Sequence, residues 1–124
     1  MDSAMIYYTI NGQSVPISEI PVCAIEQWRL EIIRLLAEGG HLSSLFAIKG
    51  GRKNRIIAVI SEPEHKRIAI AATEVEQNYP SLTADCPSAH WFEREIFEQS
   101  GIRPDGHPWL KPIRFQPVSN AEPN

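Results

Sequence analysis

Cys86 and His90 stand four residues apart at the predicted start of a helix, the pairing in this chain best suited to nucleophilic chemistry. A helix N-terminus and a nearby imidazole both favour a thiolate. Against that role, Cys86 lies in a proline-flanked turn, and no glycine-rich segment is placed to form an oxyanion hole. The four histidines, His41, His65, His90 and His107, lack the i,i+4 or short-loop spacing of zinc ligands. Glu93 and Glu95 are two residues apart on one helix, so they diverge by about 200° and cannot share a substrate proton. Gly50-Gly51 has neither the Gly-Lys-Ser/Thr continuation of a phosphate loop nor a following helix, and reads as a turn. Cys23 and Cys86 are too few for an iron-sulfur cluster or a nickel-iron centre. The expectation is a chain with no catalytic residues, cofactor or metal of its own. The alternative is a free-standing small enzyme or ligand-binding protein using Cys86 and His90.

The segment from Tyr79 to Phe115 points instead to contacts between proteins. Trp91, Trp109 and Phe115, with Arg94, Arg103 and Arg114, are residue types that dominate buried interfaces, and arginine forks onto a partner carboxylate. Seven of the ten prolines lie at or after Pro80, and Pro104, Pro108 and Pro112 recur with large side chains between them. Such a segment pairs few of its own amides and suits an extended arm lying on something else. The other reading folds Trp109 and Phe115 back over the chain's own sheet.

The elements that position this segment follow from periodicity. Ile6–Ile10 and Ser14–Ile17 flank Asn11-Gly12, a hairpin-turn dipeptide. Pro21 suits a first helical turn, and Ile25, Trp28, Ile32, Leu35 and Leu36 recur at helical spacing as far as Gly39-Gly40, with Leu30 and Ile33 widening the stripe. The predicted helix is Val22–Glu38. Strand-like runs follow at His41–Ile48, Arg55–Ile60 and Lys66–Thr73, joined by loops of hairpin length, which predicts an antiparallel meander. Parallel neighbours need crossover helices, and none is evident. A second helix is predicted at about Ala89–Gln99, capped by Asp85 or Ser88. Its predicted apolar face is Trp91, Phe92, Ile96 and Phe97; Glu93, Arg94, Glu95 and Glu98 read as solvated. The fold class is then α+β, a two-layer domain of mostly antiparallel sheet with helices on one face. Residues 1–100 form the domain and 101–124 a Pro-rich docking arm and tail.

Composition narrows the partners. A formal net charge of −3 offers nothing general to nucleic acid or anionic lipid. No apolar run reaches the roughly 18 residues of a membrane span, and the N-terminus is acidic where a signal peptide is basic. A cytoplasmic location is expected, with any membrane link made through partners.

The spacing of an aromatic residue, Glu93-Arg94-Glu95, Gly101 and Gly106-His107-Pro108 resembles a signature of the C-subunit family of respiratory complex I, the NADH:quinone oxidoreductase. Trp109-Leu110-Lys111-Pro112 is more similar to the related domain of membrane-bound, energy-converting nickel-iron hydrogenases of the formate hydrogenlyase type. Glu98 and Ser100, where complex I generally carries an aspartate and an aromatic, also favour that branch. In both, the resemblance implies a non-catalytic structural subunit without a cofactor. It packs on the catalytic large subunit near the small iron-sulfur subunit, peripheral to the inner membrane. The interface expected from the resemblance and residue types is Trp91, Glu93, Arg94, Glu95, Gly106, His107, Pro108, Trp109, Lys111, Arg114 and Phe115.

Overall fold

A computed structural model of the chain describes residues 6–10 and 15–108. In chain order the elements are β1 (Tyr7–Thr9), β2 (Val22–Cys23), α1 (Ile25–Ala37), β3 (His41–Ile48), β4 (Asn54–Glu62), β5 (Arg67–Val75), β6 (Asn78–Pro80), α2 (His90–Ser100) and β7 (Arg103–Asp105). The main sheet runs β1-β5-β4-β3, with β2 also on β5, and β6 and β7 form a small second sheet. The expected meander is present: β3 pairs antiparallel with β4, and β4 with β5. The α+β class holds, with mainly antiparallel pairing and two helices.

β4 explains why the sheet is predominantly apolar. Ile56, Ala58 and Ile60 face a core that includes Trp28, Ile32 and Leu35 of α1 and Ile96 of α2. The alternate residue Ile57 joins Ile70 and Ala72 in a second cluster on the opposite face, covered by Ile20 with Val15 packed against it. A strand buried on both sides loses the polar half of its alternation. Trp28, Ile32 and Leu35 are all buried, as their spacing predicts, and each such burial contributes about 1.5–3 kcal/mol before entropy. Leu30, expected to widen that stripe, is 58% exposed. Glycine ends α1 as predicted: Gly39 takes φ 104°, and its N–H and that of Gly40 return to the Leu36 and Leu35 carbonyls. Gly40 also needs its missing Cβ, which would lie 2.8 Å from Ile60 Cγ2 and from the Leu35 carbonyl oxygen.

Several local expectations are corrected. The helix begins at Ile25, not Val22, because Val22–Cys23 is drawn into parallel pairing with Ala72–Thr73. Thr73 Oγ1 donates to the Cys23 carbonyl at 2.7 Å, fixing that entry. Residues 11–14, with the Asn11-Gly12 turn, lie outside the described residues. Beyond them Ile17–Glu19 is a 3₁₀ turn, and β1 pairs with β5 rather than with a hairpin partner. Parallel pairing is present after all, since α2 supplies the crossover between β6 and β7. Neither Asp85 nor Ser88 caps α2. A 3₁₀ turn at Pro87–Ala89 leads into it without a side-chain cap bond, and Asp85 instead pairs with Arg29 of α1 at 2.6 Å.

The packed body also continues past residue 100. Ile102 is 1% exposed, Pro104 is buried, and Arg103–Asp105 pairs with Asn78–Pro80. Trp109, Lys111, Arg114 and Phe115 lie outside the described residues.

Candidate functional site

α2 turns its Glu-Arg-Glu sequence partly inward. Ala89, Glu93 and Ile96 fall on one helical face, and all three are buried, Glu93 to 0% exposure. A buried carboxylate is tolerated only when its lone pairs are matched by donors. Glu93 meets four. Oε1 accepts from Ser81 Oγ at 2.6 Å and Thr83 Oγ1 at 2.7 Å. Oε2 accepts from the Leu82 amide at 2.8 Å and Tyr79 Oη at 2.9 Å. The segment 79–83 is thereby wrapped around the helix. Tyr79 also meets Trp28 edge-on at 6.4 Å between ring centroids, and Trp28 Nε1 donates to the Ala71 carbonyl at 3.0 Å. One continuous set of contacts therefore runs from β5 through α1 to α2. Burial first, then the Glu93 charge and their hydrogen bond, push the Tyr79 phenol well above its ordinary range.

The reading of Glu93, Arg94, Glu95 and Glu98 as a solvated face is thus corrected for its first two members: Arg94 is buried as well. Glu93, expected at a partner interface, instead faces the interior of its own domain. Trp91, expected on the apolar inner face, is 58% exposed, with the Arg94 guanidinium 4.7 Å from its ring centroid. Trp91 also meets His90 edge-on at 5.6 Å between ring centroids, and the His90 and His107 ring centroids are 4.8 Å apart. The Pro104–His107 turn closes by the His107 amide donating to the Pro104 carbonyl at 3.2 Å. Gly106 holds φ 84° there, a left-handed conformation suited to glycine. His107 Nε2 donates to the His90 carbonyl at 3.2 Å in the matching tautomer. Arg94, Trp91, His90 and His107 thus form a row of planar groups, with Glu95, Gly106 and Pro108 exposed nearby in sequence. Such a row offers a mixed aromatic and imidazole surface whose rings are set edge-on or tilted to one another. Glu93 as an internal anchor was missed by sequence reasoning; the signal was the hydroxyl-rich Tyr79-Pro80-Ser81-Leu82-Thr83 upstream of a glutamate in line with Ala89 and Ile96.

Cys86 does not have the character of a nucleophile. It is 3% exposed, and burial, followed by the Asp85 charge, raises its thiol pKa. At neutral pH that keeps the proton on sulfur, opposite to the thiolate that catalysis requires. Burial, His107 and Arg94 lower the pKa of His90. Among the described residues, no three His, Cys, Asp or Glu side chains gather as metal ligands, and no helix is long and apolar enough to cross a membrane.

The fold and this site define a class: a mixed helix–sheet module whose buried carboxylate holds its own architecture while aromatic and imidazole groups face outward. The chain belongs to the family described as respiratory-chain NADH dehydrogenase, 30 Kd subunit, whose profile matches residues 24–123. It is 42% identical over 57 residues to the C/D subunit of the NADH-quinone oxidoreductase of Methylococcus capsulatus, a segment covering 46% of this chain and 10% of that protein. The C/D subunit of Azotobacter vinelandii is 39% identical over 56 residues, covering 45% of this chain and 9% of the relative. That of Acinetobacter baylyi is 43% identical over 47 residues, covering 38% and 8%. The matched segment is therefore about a tenth of the length of these relatives.

Proposed function

We propose that the chain is a non-catalytic assembly domain of a complex-I-like oxidoreductase, docking on the catalytic large subunit near the small iron-sulfur subunit. The observation that carries this reading is Trp91. A large aromatic side chain exposed on a helix, with the Arg94 guanidinium over its ring and His90 edge-on to it, has the composition of an interface anchor. The family match and the NADH-quinone oxidoreductase relatives support an oxidoreductase complex as its setting. Trp91, Glu95, Gly106, His107 and Pro108 form the described part of the docking surface in this proposal, with the buried Arg94 supporting Trp91, and Trp109, Lys111, Arg114 and Phe115 are the further residues proposed for it. The docking segment then begins after the packed Pro104, not at Gly101. Any membrane association is made through the partners. Trp109-Leu110-Lys111-Pro112 supports an energy-converting nickel-iron hydrogenase over an NADH:quinone oxidoreductase as the complex.

The test is co-purification with candidate large subunits of both complexes, followed by affinity measurement. Trp91→Ala weakens the complex by on the order of 2 kcal/mol, about 30-fold, while the Tm of the isolated chain stays within a few degrees. An unchanged affinity for the large subunit overturns the docking surface. Recovery of an NADH dehydrogenase large subunit alone overturns the hydrogenase assignment.

A further inference from the structure

A groove of about 510 Å³ lies between the C-terminal half of α1 and the turn that leads into α2, within the range of about 300–1,000 Å³ found for sites that take a ligand-sized body. Ile33, Leu36 and Ala37 of α1, Leu42 of β3, and Cys86 and Pro87 of the turn line it. Ile33, Leu36 and Leu42 pack against the core but are only half-buried, so each leaves apolar surface to be covered. The last described residue, Pro108, follows His107, whose Nε2 lies 3.2 Å from the His90 carbonyl oxygen. His90 in turn directly follows the Pro87–Ala89 turn. The chain therefore leaves the described body close to one wall of the groove. The next seven residues, outside the described ones, are Trp109-Leu110-Lys111-Pro112-Ile113-Arg114-Phe115, and Trp109, Leu110, Ile113 and Phe115 are large and apolar. Fully extended, seven residues span about 23–25 Å, about twice the width of a helix, so the whole groove is within their reach.

We propose that, in the chain without a partner, Trp109–Phe115 folds back into this groove with its apolar side chains against Ile33, Leu36 and Leu42, and that a docking partner must release it. Only that last step rests on the docking reading given above. The tether decides the occupant. A segment joined to the groove by so short a linker meets it at an effective concentration in the millimolar range, ahead of a free molecule. Pro108 and Pro112 restrict the unbound segment, which lowers the entropy lost when it is ordered. Charge acts in the same direction, more weakly. Lys111 and Arg114 are basic, the carbonyl end of α1 carries the negative pole of the helix, and Asp85 at the rim stays half exposed although Arg29 pairs with it at 2.6 Å. The contact withholds Trp109 and Phe115 from solvent, and from any other protein, until the large subunit competes for them.

The test is methyl-labelled NMR of the isolated full chain. Nuclear Overhauser contacts from the Trp109 indole to the methyl groups of Ile33, Leu36 or Leu42 are expected. Their absence overturns the proposal, and so do contacts seen only between differently labelled chains in a mixed sample, which would put a second copy's segment in the groove. Ala37→Lys, at an exposed position in the last turn of α1 where a basic residue suits the helix, obstructs the groove and repels Lys111 and Arg114. The contacts disappear in that variant; their persistence overturns the assignment of the groove. Should the variant not fold, the wild-type contacts decide. With a folded segment in nine-tenths of the molecules, its release by Ala37→Lys raises affinity for the large subunit about tenfold. Unchanged affinity overturns the release step. A large subunit that binds neither form, while the wild-type contacts are present, refutes the docking reading and leaves the folded-back segment standing.

Discussion

Replacing Glu93 by alanine removes an acceptor on which four donors converge, and the geometry fixes what is lost. The Ser81 and Thr83 hydroxyls rotate and find other partners more readily than the Leu82 amide and Tyr79 phenol, which point at Oε2 from fixed positions. Two buried donors left unpaired cost about 1–3 kcal/mol each, and the space vacated by the side chain adds a cavity term. A total of about 3–5 kcal/mol is expected, in the range found when one partner of a buried charged contact is deleted. At about 4 °C per kcal/mol or more for a domain of this size, Tm falls by at least about 12 °C. Glu93→Gln is milder, at about 1–3 kcal/mol. Its remaining carbonyl oxygen can serve Leu82 and Tyr79, while its amide faces the two hydroxyls. Ser81 Oγ, however, already accepts the Thr83 amide at 3.0 Å. The assays are thermal unfolding and hydrogen exchange of the Leu82 amide, with exposed Glu95→Ala as a control expected to stay within about 0.5 kcal/mol. A Tm loss below about 4 °C for Glu93→Ala, or unchanged Leu82 exchange, refutes the anchor.

Two further outcomes test the core and its titration. Ile32→Ala, at a fully buried position, costs about 2–5 kcal/mol in urea unfolding, whereas Leu30→Ala stays within about 0.5 kcal/mol; comparable losses at both positions contradict the orientation of α1. Because the Tyr79 phenol is raised by burial and by Glu93, its contribution to stability is complete below the ordinary tyrosine pKa of about 10 and declines as pH rises above it. There the unfolded chain releases a proton that the folded chain keeps, at about 1.4 kcal/mol per pH unit. The alkaline fall in wild-type Tm is therefore steeper than in Tyr79→Phe, and identical slopes would show that the phenol titrates freely.

The parts of the fold that were legible in the sequence are those where one side-chain property decides the outcome. Period-2 and period-3.6 patterns locate β3 at both ends, β4 and β5 to within two residues, and the buried face of α1. The parallel pairs were not legible. β2 is two residues long and β6 and β7 three each, too short for periodicity to register. Their pairing depends on where tertiary packing places β5 and α2. Pro21 reads equally well as a helix start and as the residue before a short strand, and the Cys23 carbonyl settles it by accepting from Thr73.

The candidate site was misread for a different reason, which the helical arithmetic makes plain. At 100° per residue, Trp91 and Ile96 are separated by about 140° and cannot both face the core. Measured from Glu93, Ala89 and Ile96 fall within about 60°, whereas Trp91 and Glu95 lie about 160° away. Hydrophobicity alone assigned Trp91 inward and Glu93 outward. Both assignments reverse because four donors on residues 79–83 make a carboxylate less costly to bury than that position's apolar neighbours suggest. The two glutamates of Glu93-Arg94-Glu95 therefore have different roles despite their identical chemistry. Glu93 ties the 79–83 segment to α2 from inside, and the docking proposed for Trp91, on the opposite face, relies on the helix that this anchor holds. In the docking proposal, a partner that contacts Trp91 therefore depends on Glu93 without touching it. Loss of docking in Glu93→Ala with Trp91 still present is the expected mark of that division.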